Sequence, residues 1–198
     1  MGIETNPNLF IIESMSRSEE QAGTLEGKLL SEVLNFSGVR TEYRHVRTRP
    51  DFENALDEFE DSNMRYLHIS CHGDAGNVAL TLENLTYQEF SDDLQGRLQG
   101  KRLFLSACEV VNLRMARLIL PASECYSIVG PSYRPHLGDS AVMWSLFYHL
   151  MFRDPESFEM KRGKVSWALR RVKKALEETF DYYKVSNGVV EQVDIMKR

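Results

Sequence analysis

Apolar residues return along this chain in two rhythms. Short runs alternate with segments in which they recur every three or four positions. Residues 9–13 form a short apolar, β-prone run. Leu25, Leu29, Leu30, Val33 and Leu34 then fall at helical spacing and stop near Gly38. Residues 41–46 read as a second strand. Pro50 and Asp51 open a helix carrying Phe52, Leu56 and Phe59 on one face; a proline in the first turn and an early acid both suit a helix start. Residues 66–71 are a third strand. After the loop Gly-Asp-Ala-Gly-Asn, residues 78–82 predict a small extra strand. Thr86 with Glu89 matches a capping box for a helix over 87–98. Residues 102–107 are the fourth core strand, and 111–120 a helix ending before Pro121. Residues 126–129 are a fifth strand, closed by Gly130-Pro131. Asp139 or Ser140 caps the apolar helix that follows. Val165, Leu169, Val172, Leu176 and Phe180 predict a long amphipathic helix, and 189–195 a last strand.

Helices that follow strands at this rhythm predict an α/β fold: a mainly parallel sheet with helices on both faces. No linker, repeat or low-complexity stretch divides the chain, so residues 1–198 are expected to form a single domain. Its length is enough for a substantial core. With 42% hydrophobic and 27% charged residues it has the composition of an ordinary soluble protein. A net charge of -5 argues against direct nucleic-acid binding, which wants a basic face. Three cysteines leave an odd thiol after any pairing, which fits a reducing, cytoplasmic setting. The N-terminus lacks the basic and apolar regions of a secretory signal. The most apolar stretch, 141–152, is too short to span a bilayer, and no membrane partner is expected.

Two strand ends change the picture. Tyr-Leu-His-Ile-Ser-Cys-His-Gly ends with His72 and Gly73, and Arg-Leu-Phe-Leu-Ser-Ala-Cys delivers Cys108. Both residues are expected just past the C-terminal end of a buried strand, where open α/β sheets gather ligands. A thiol and an imidazole are the parts of a cysteine nucleophile and its base. The helix after Cys108 would favour a thiolate through its dipole, and the small Ser106 and Ala107 let another segment approach. Gly73 tolerates a positive φ and offers a bare N–H, which with the Cys108 amide could hold an oxyanion. His68 lies within its strand and reads as structural. Taken singly, Cys108 is equally a core thiol and His72 a satisfied loop histidine.

Taken together, the strand ending in His-Gly, the strand ending in Ser-Ala-Cys and the later segment with Gly-Pro, Asp-Ser-Ala and Phe-Tyr resemble the caspase-like cysteine peptidases, in particular the CHAT group, relatives of separase, clostripain and caspases. The likeness runs from about Tyr66 to Leu150. It implies a caspase-like three-layer sandwich and a cysteine endopeptidase in which His72 and Cys108 are catalytic and the amides of Gly73 and Cys108 form the oxyanion hole. It implies a protein substrate, no metal and no organic cofactor. CHAT relatives are often fused to sensor regions and several resemble effectors of bacterial immunity, so the resemblance also implies a separate sensor or regulatory protein as a partner. There are departures. Ser-Ala-Cys-Glu-Val replaces the caspase Gln-Ala-Cys-Arg-Gly, and the histidine stands closer to the cysteine than the caspase interval of about 50 residues. Aspartate specificity is therefore not carried over.

Ser106, Asp74, Glu109 and Asp139 are candidate substrate-binding residues, since an acid beside the cleft could hold a basic P1 side chain. Each acid has a plainer role: Asp74 in a turn, Glu109 in a first helical turn, Asp139 as a helix cap. The basic run from Lys161 to Lys174 reads as the solvated face of a helix. Two rivals stand beside the peptidase. One is a catalytically silent caspase-like interaction module that binds a partner protein. The other is a flavodoxin-like or nucleotide-binding domain, which would need a glycine-rich loop after the first strand that this chain lacks.

Overall fold

Alternation along the strands explains why the chain builds three layers. In β1 (Asn6–Ser14), Phe10 and Ile12 enter one core while Leu9 and Ile11 enter another on the opposite face. A strand that is apolar on both faces must be covered on both. The structure, a computed structural model, describes residues 6–154 and 158–197, and it supplies that cover with helices. The readings made on the first five residues lie outside the described ones.

After β1 come α1 (Arg17–Ala22), α2 (Glu26–Phe36), β2 (Thr41–His45), α3 (Arg49–Asp61) and β3 (Met64–Gly73). A hairpin of β4 (Asn77–Ala79) and β5 (Asn84–Thr86) follows, then α4 (Tyr87–Asp93), β6 (Arg102–Ser106) and α5 (Leu113–Ser123). The chain continues with β7 (Ser127–Gly130), α6 (Leu137–Phe152), α7 (Arg162–Leu176), β8 (Asp181–Ser186) and β9 (Val189–Gln192). The sheet runs β2-β1-β3-β6-β7-β8-β9, with β4 on β3 and β5 on β4. The pairs from β2 to β7 are parallel, and β8 and β9 close one edge antiparallel. The chain leaves β1 for β2 on one side and returns as β3 on the other. A switch point thus opens at the C-terminal ends of β1 and β3, the usual place for a ligand in such a sheet.

One face of the sheet holds Phe52, Phe59, Phe90, Met115 and Ile119 from α3, α4 and α5. The other holds Leu30, Leu34, Trp144, Phe147, Tyr148 and Leu169 from α2, α6 and α7. Each such side chain contributes about 1.5–3 kcal/mol on burial.

Several elements depart from their expected bounds. α5 runs through Pro121 instead of stopping before it; close to the helix end the proline costs one hydrogen bond, and the buried Ile119 and Leu120 hold the turn. α6 begins earlier than expected. His136 caps it, its ring Nδ1 accepting the Gly138 N–H at 3.4 Å, so Asp139 and Ser140 lie inside the first turn. α4 stops at Asp93. α7 stops at Leu176, where Glu177 takes φ 63°, and Phe180 leaves the helix to stack on Trp144 with ring centroids 3.9 Å apart. The C-terminal strand is one arm of a hairpin, not a lone strand. Its turn is Asn187-Gly188, both at positive φ, and its other arm, β8, falls in a segment where the sequence pattern predicts no strand.

Candidate active site

Three strand ends build the site. β1 and β3 pair Glu13 with Ser70, and β3 and β6 pair Ser70 with Ser106. By the period of two, Glu13, Ser70, His72 and Ser106 share the sheet face that α2 and α6 cover. Polar residues at these positions extend the rows that begin with Leu9 and Ile11, Tyr66 and His68, and Phe104. The core side of the sheet thus becomes a polar site as the strands run out.

His72 and Cys108 line one cavity of about 120 Å3, together with Met15, Glu19, Glu26 and Leu137. β3 stops pairing with β6 at Ser70 and continues as a hairpin arm with His72 opposite Ala79. His72 therefore stands beyond the parallel sheet, as expected, but still within a strand. Cys108 follows β6 by two residues. Larger clefts lie elsewhere, such as an open groove of about 900 Å3 beside Tyr87, Arg114 and Arg117. That groove is lined by neither the thiol nor the imidazole.

The His72 ring is half exposed, and its Nε2 lies 2.6 Å from Glu19 Oε2. Glu19 is not among the residues that the sequence singles out, yet its signal is there. Ser16 and Glu19 form a capping box for α1: Glu19 N–H donates to Ser16 Oγ at 3.3 Å, and Ser16 N–H donates to Glu19 Oε2 at 3.0 Å. Burial pushes the Glu19 carboxyl up, but the hydrogen bonds from Ser16 and His72 outweigh it and hold its pKa below the ordinary value.

Gly73 is needed for space rather than for its backbone freedom. Its φ is not in the left-handed region. A Cβ there would overlap Val110 Cγ2 and stand 3.0 Å from the Asn77 carbonyl oxygen. The His-Gly turn and the loop after Cys108 thus touch through this missing side chain.

The expected helix dipole does little for Cys108. α5 starts only at Leu113, capped by Asn112, and a turn with Glu109 at φ 59° separates it from the cysteine. Burial pushes the Cys108 thiol above its ordinary value; Arg134 pulls it down, while Glu109 and Glu26 push it up. The resting cysteine is a thiol.

Two buried acids stand nearby, of which Glu26 lines the cavity. Glu13 Oε1 accepts the Gly27 N–H at 2.7 Å and Oε2 accepts the Lys28 N–H at 3.1 Å and the Tyr43 hydroxyl at 2.8 Å. It caps α2 from outside, since Leu25 at the N-cap makes no side-chain bond. Glu26 Oε2 accepts the Ser70 hydroxyl at 2.7 Å, whereas Oε1 is buried with no hydrogen-bond partner. Ser106 and Ser140, 3.1 Å apart, face the same carboxyl and bond each other. Burial raises the pKa of both acids. The sequence singles out neither acid, because Glu13 at the end of an apolar run looks like the start of a loop and Glu26 looks like a first-turn helix acid.

The other candidates have settled places. Ser106 lines the cavity. Asp74 accepts the Gly76 and Asn77 N–H groups at 2.8 and 2.9 Å and so closes a turn. Glu109 pairs with Arg134 Nε at 2.8 Å. Asp139 is exposed on α6, and none of these three acids lines the cavity. His68 is buried. It touches the Tyr148 hydroxyl at 3.1 Å, and burial pushes its pKa down to about 3, so it is a neutral core residue. Among the described residues no group of three His, Cys, Asp or Glu side chains could hold a metal ion, and no helix is long and apolar enough to cross a membrane.

Among solved structures, the chain is similar to caspase-1 from Spodoptera frugiperda, with a TM-score of 0.51 and 14% identity over 90% of this chain and 80% of that one. The fold is a caspase-like sandwich. No family model matches the sequence, and neither does any curated protein. At such identity the likeness is one of architecture.

Proposed function

We propose that the protein is a cysteine endopeptidase of the CHAT type. The observation that carries this reading is the shared cavity: a half-buried thiol and a half-exposed imidazole line one cavity at the C-terminal ends of the parallel strands of a caspase-like sheet. His72 takes the thiol proton as Cys108 Sγ attacks the scissile carbonyl carbon. The oxyanion rests on the amides of Gly73 and Cys108, an arrangement worth several kcal/mol when preorganised. The proton passes to the leaving amine as the C–N bond breaks. Water, deprotonated by His72, then releases the acyl group from sulfur. The substrate is a protein, and the chemistry calls for no metal or organic cofactor. A cytoplasmic location and control by a separate sensor protein, as an effector of bacterial immunity, belong to the same reading.

For the P1 side chain the acid that supports a basic preference is Glu26, not Asp74, Glu109 or Asp139. It alone of the four lines the cavity, and its Oε1 is short of a donor.

The raised Cys108 thiol is also what a silent interaction module would have. Alkylation by a peptidyl ketone, run beside cleavage of a peptide library, separates the two. The wild type is expected to label fast and cleave, Cys108→Ala to do neither, and His72→Ala to label slowly without cleaving, both variants keeping the wild-type thermal midpoint. Slow labelling equal to that of His72→Ala, with no cleavage, would leave the interaction module as the better account.

A further inference from the structure

Glu19 sits on a six-residue helix with no buried residues of its own, yet its carboxylate is firmly placed. Oε2 accepts from Ser16 N–H at 3.0 Å and from Ser16 Oγ–H at 2.5 Å, as well as meeting His72 Nε2 at 2.6 Å. The helix is tied down by neighbours on either side. Glu20 pairs with Arg47 at 2.9 Å, and Thr81 Oγ1–H donates to the Met15 carbonyl at 2.6 Å. A capping box needs an acceptor at this position, but it does not need that acceptor to reach the imidazole of a second segment more than fifty residues away.

We propose that Glu19 is the positioning acid of a Cys108–His72–Glu19 triad, fixing the His72 tautomer so that Nδ1 is the base. This rests on the peptidase reading above. An ionised carboxylate only accepts, so Nε2 must carry the hydrogen, and Nδ1 is left with the lone pair. In the attack step the Cys108 Sγ–H bond breaks, its proton moves to Nδ1, and the sulfur electron pair forms the S–C bond. The Nε2–H stays on nitrogen throughout. Its bond to Glu19 Oε2 becomes charge-assisted on both sides once the ring is an imidazolium. The Nδ1 proton is then given to the leaving nitrogen.

The placement answers a need the site creates. The Cys108 thiol is held up by burial, so deprotonating it needs a stabilised imidazolium. The other titratable groups lining the cavity are Cys71 on β3 and Glu26 on α2. Burial raises both, so neither offers a ready anion. Beyond the cavity, Arg134 and Glu109 pair with each other beside Cys108. Glu19 is the anion in contact with the ring.

Glu19→Gln tests this, because glutamine keeps a carbonyl acceptor for the cap while removing the charge. Two readouts need no substrate: the His72 tautomer from 15N shifts, with the resonance assigned by its loss in His72→Ala, and the rate of Cys108 alkylation by iodoacetamide from pH 5 to 9. The wild type should show the Nε2–H tautomer. Glu19→Gln should keep the thermal midpoint and label at least tenfold more slowly at pH 7, because the imidazolium formed as the thiol gives up its proton has lost its counter-charge. A mixed tautomer in Glu19→Ala would accompany a further loss. Unchanged tautomer and labelling in both variants, with only the midpoint lowered, would reduce Glu19 to a helix cap and overturn the proposal. Glu19-dependent thiol reactivity without cleavage of any peptide would uphold the triad and sink the peptidase.

Discussion

Gly73→Ala is the sharpest test of how the His72 and Cys108 segments are held together. The new Cβ would overlap Val110 Cγ2, lie 3.0 Å from the Asn77 carbonyl oxygen and lie 3.5 Å from Ala107 Cβ. None of these yields easily. Val110 is 0% exposed, and the Asn77 carbonyl accepts the Asp74 N–H at 3.1 Å to close the turn. The backbone of residue 73 suits alanine, so the cost is steric. Overpacking of this kind costs about 1–3 kcal/mol. In a domain of this size each kcal/mol lowers the midpoint by about 2–4 °C. The fall should therefore be roughly 2–12 °C at those rates. Strain relieved by moving the loop displaces the Cys108 amide and thiol, so iodoacetamide labelling should slow as well. Val110→Ala removes the atoms that clash most. In a double-mutant cycle the pair should couple by at least about 1 kcal/mol, Gly73→Ala being better tolerated once the Val110 side chain is truncated. A single variant with unchanged midpoint and labelling, or a cycle that is additive, would show that the close approach at Gly73 does not hold the site.

Two further outcomes follow from the buried polar residues. Glu26→Gln should abolish any preference for lysine or arginine over norleucine at P1, a loss of at least tenfold in relative kcat/KM, while norleucine peptides are cleaved as before; retained preference would free Glu26 of that role. The same variant should gain stability relative to the wild type as pH rises, because the folded pKa of Glu26 is raised above 4.5: its contribution is complete below that pH and is lost as pH climbs through the folded value. Equal midpoints for wild type and variant from pH 5 to 9 would contradict this. His68→Ala should lose about 2–5 kcal/mol by opening a cavity against Trp144 and Tyr148, yet the fraction that stays folded should label at Cys108 like the wild type. Inactive but fully stable protein would mean that the wrong histidine has been assigned to the core.

Much of the sheet is legible in the sequence because its strands are apolar on both faces and are separated by helical periodicity. The mainly parallel character of the sheet, the places of β3 and β6 to within two residues and the Thr86–Glu89 box can all be read from residue types. What escapes is short or polar. α1 has no apolar face at all; only Ser16 and Glu19 announce it. β8 has a mixed pattern, and the Asn187-Gly188 turn that could reveal it sits between two unremarkable arms. At the site, His72 and Cys108 are visible as unusual residues at strand ends. Their surroundings are not. Glu19, Glu13 and Glu26 come from a stretch whose acids look solvated in sequence. They are brought to the strand ends only because β1 lies beside β3, a neighbour far away in the chain. The sequence also misjudges the dipole on Cys108, since the length of the turn before α5 depends on Glu109 taking a positive φ.

The two buried acids explain each other. α2 starts without a side-chain cap of its own, and its free amides at Gly27 and Lys28 turn to Glu13 across the gap. Gly27 permits this approach: a Cβ there would stand 3.0 Å from Ile11 Cγ2 and 3.2 Å from Glu13 Cδ. With two amides, a tyrosine hydroxyl and the positive end of the helix, Glu13 has donors that offset part of the burial that raises it. Its charge in turn pushes Glu26, already raised by burial, further toward the neutral form. One acid is spent on architecture, and the other has the Ser70 hydroxyl on one oxygen and the Ser106 and Ser140 hydroxyls facing its carboxyl. Environments that push two neighbouring carboxyls apart commonly give them separate tasks. Here the Glu26 carboxyl is left in the cavity that Cys108 and His72 share, and Glu19 on α1 lies against the histidine.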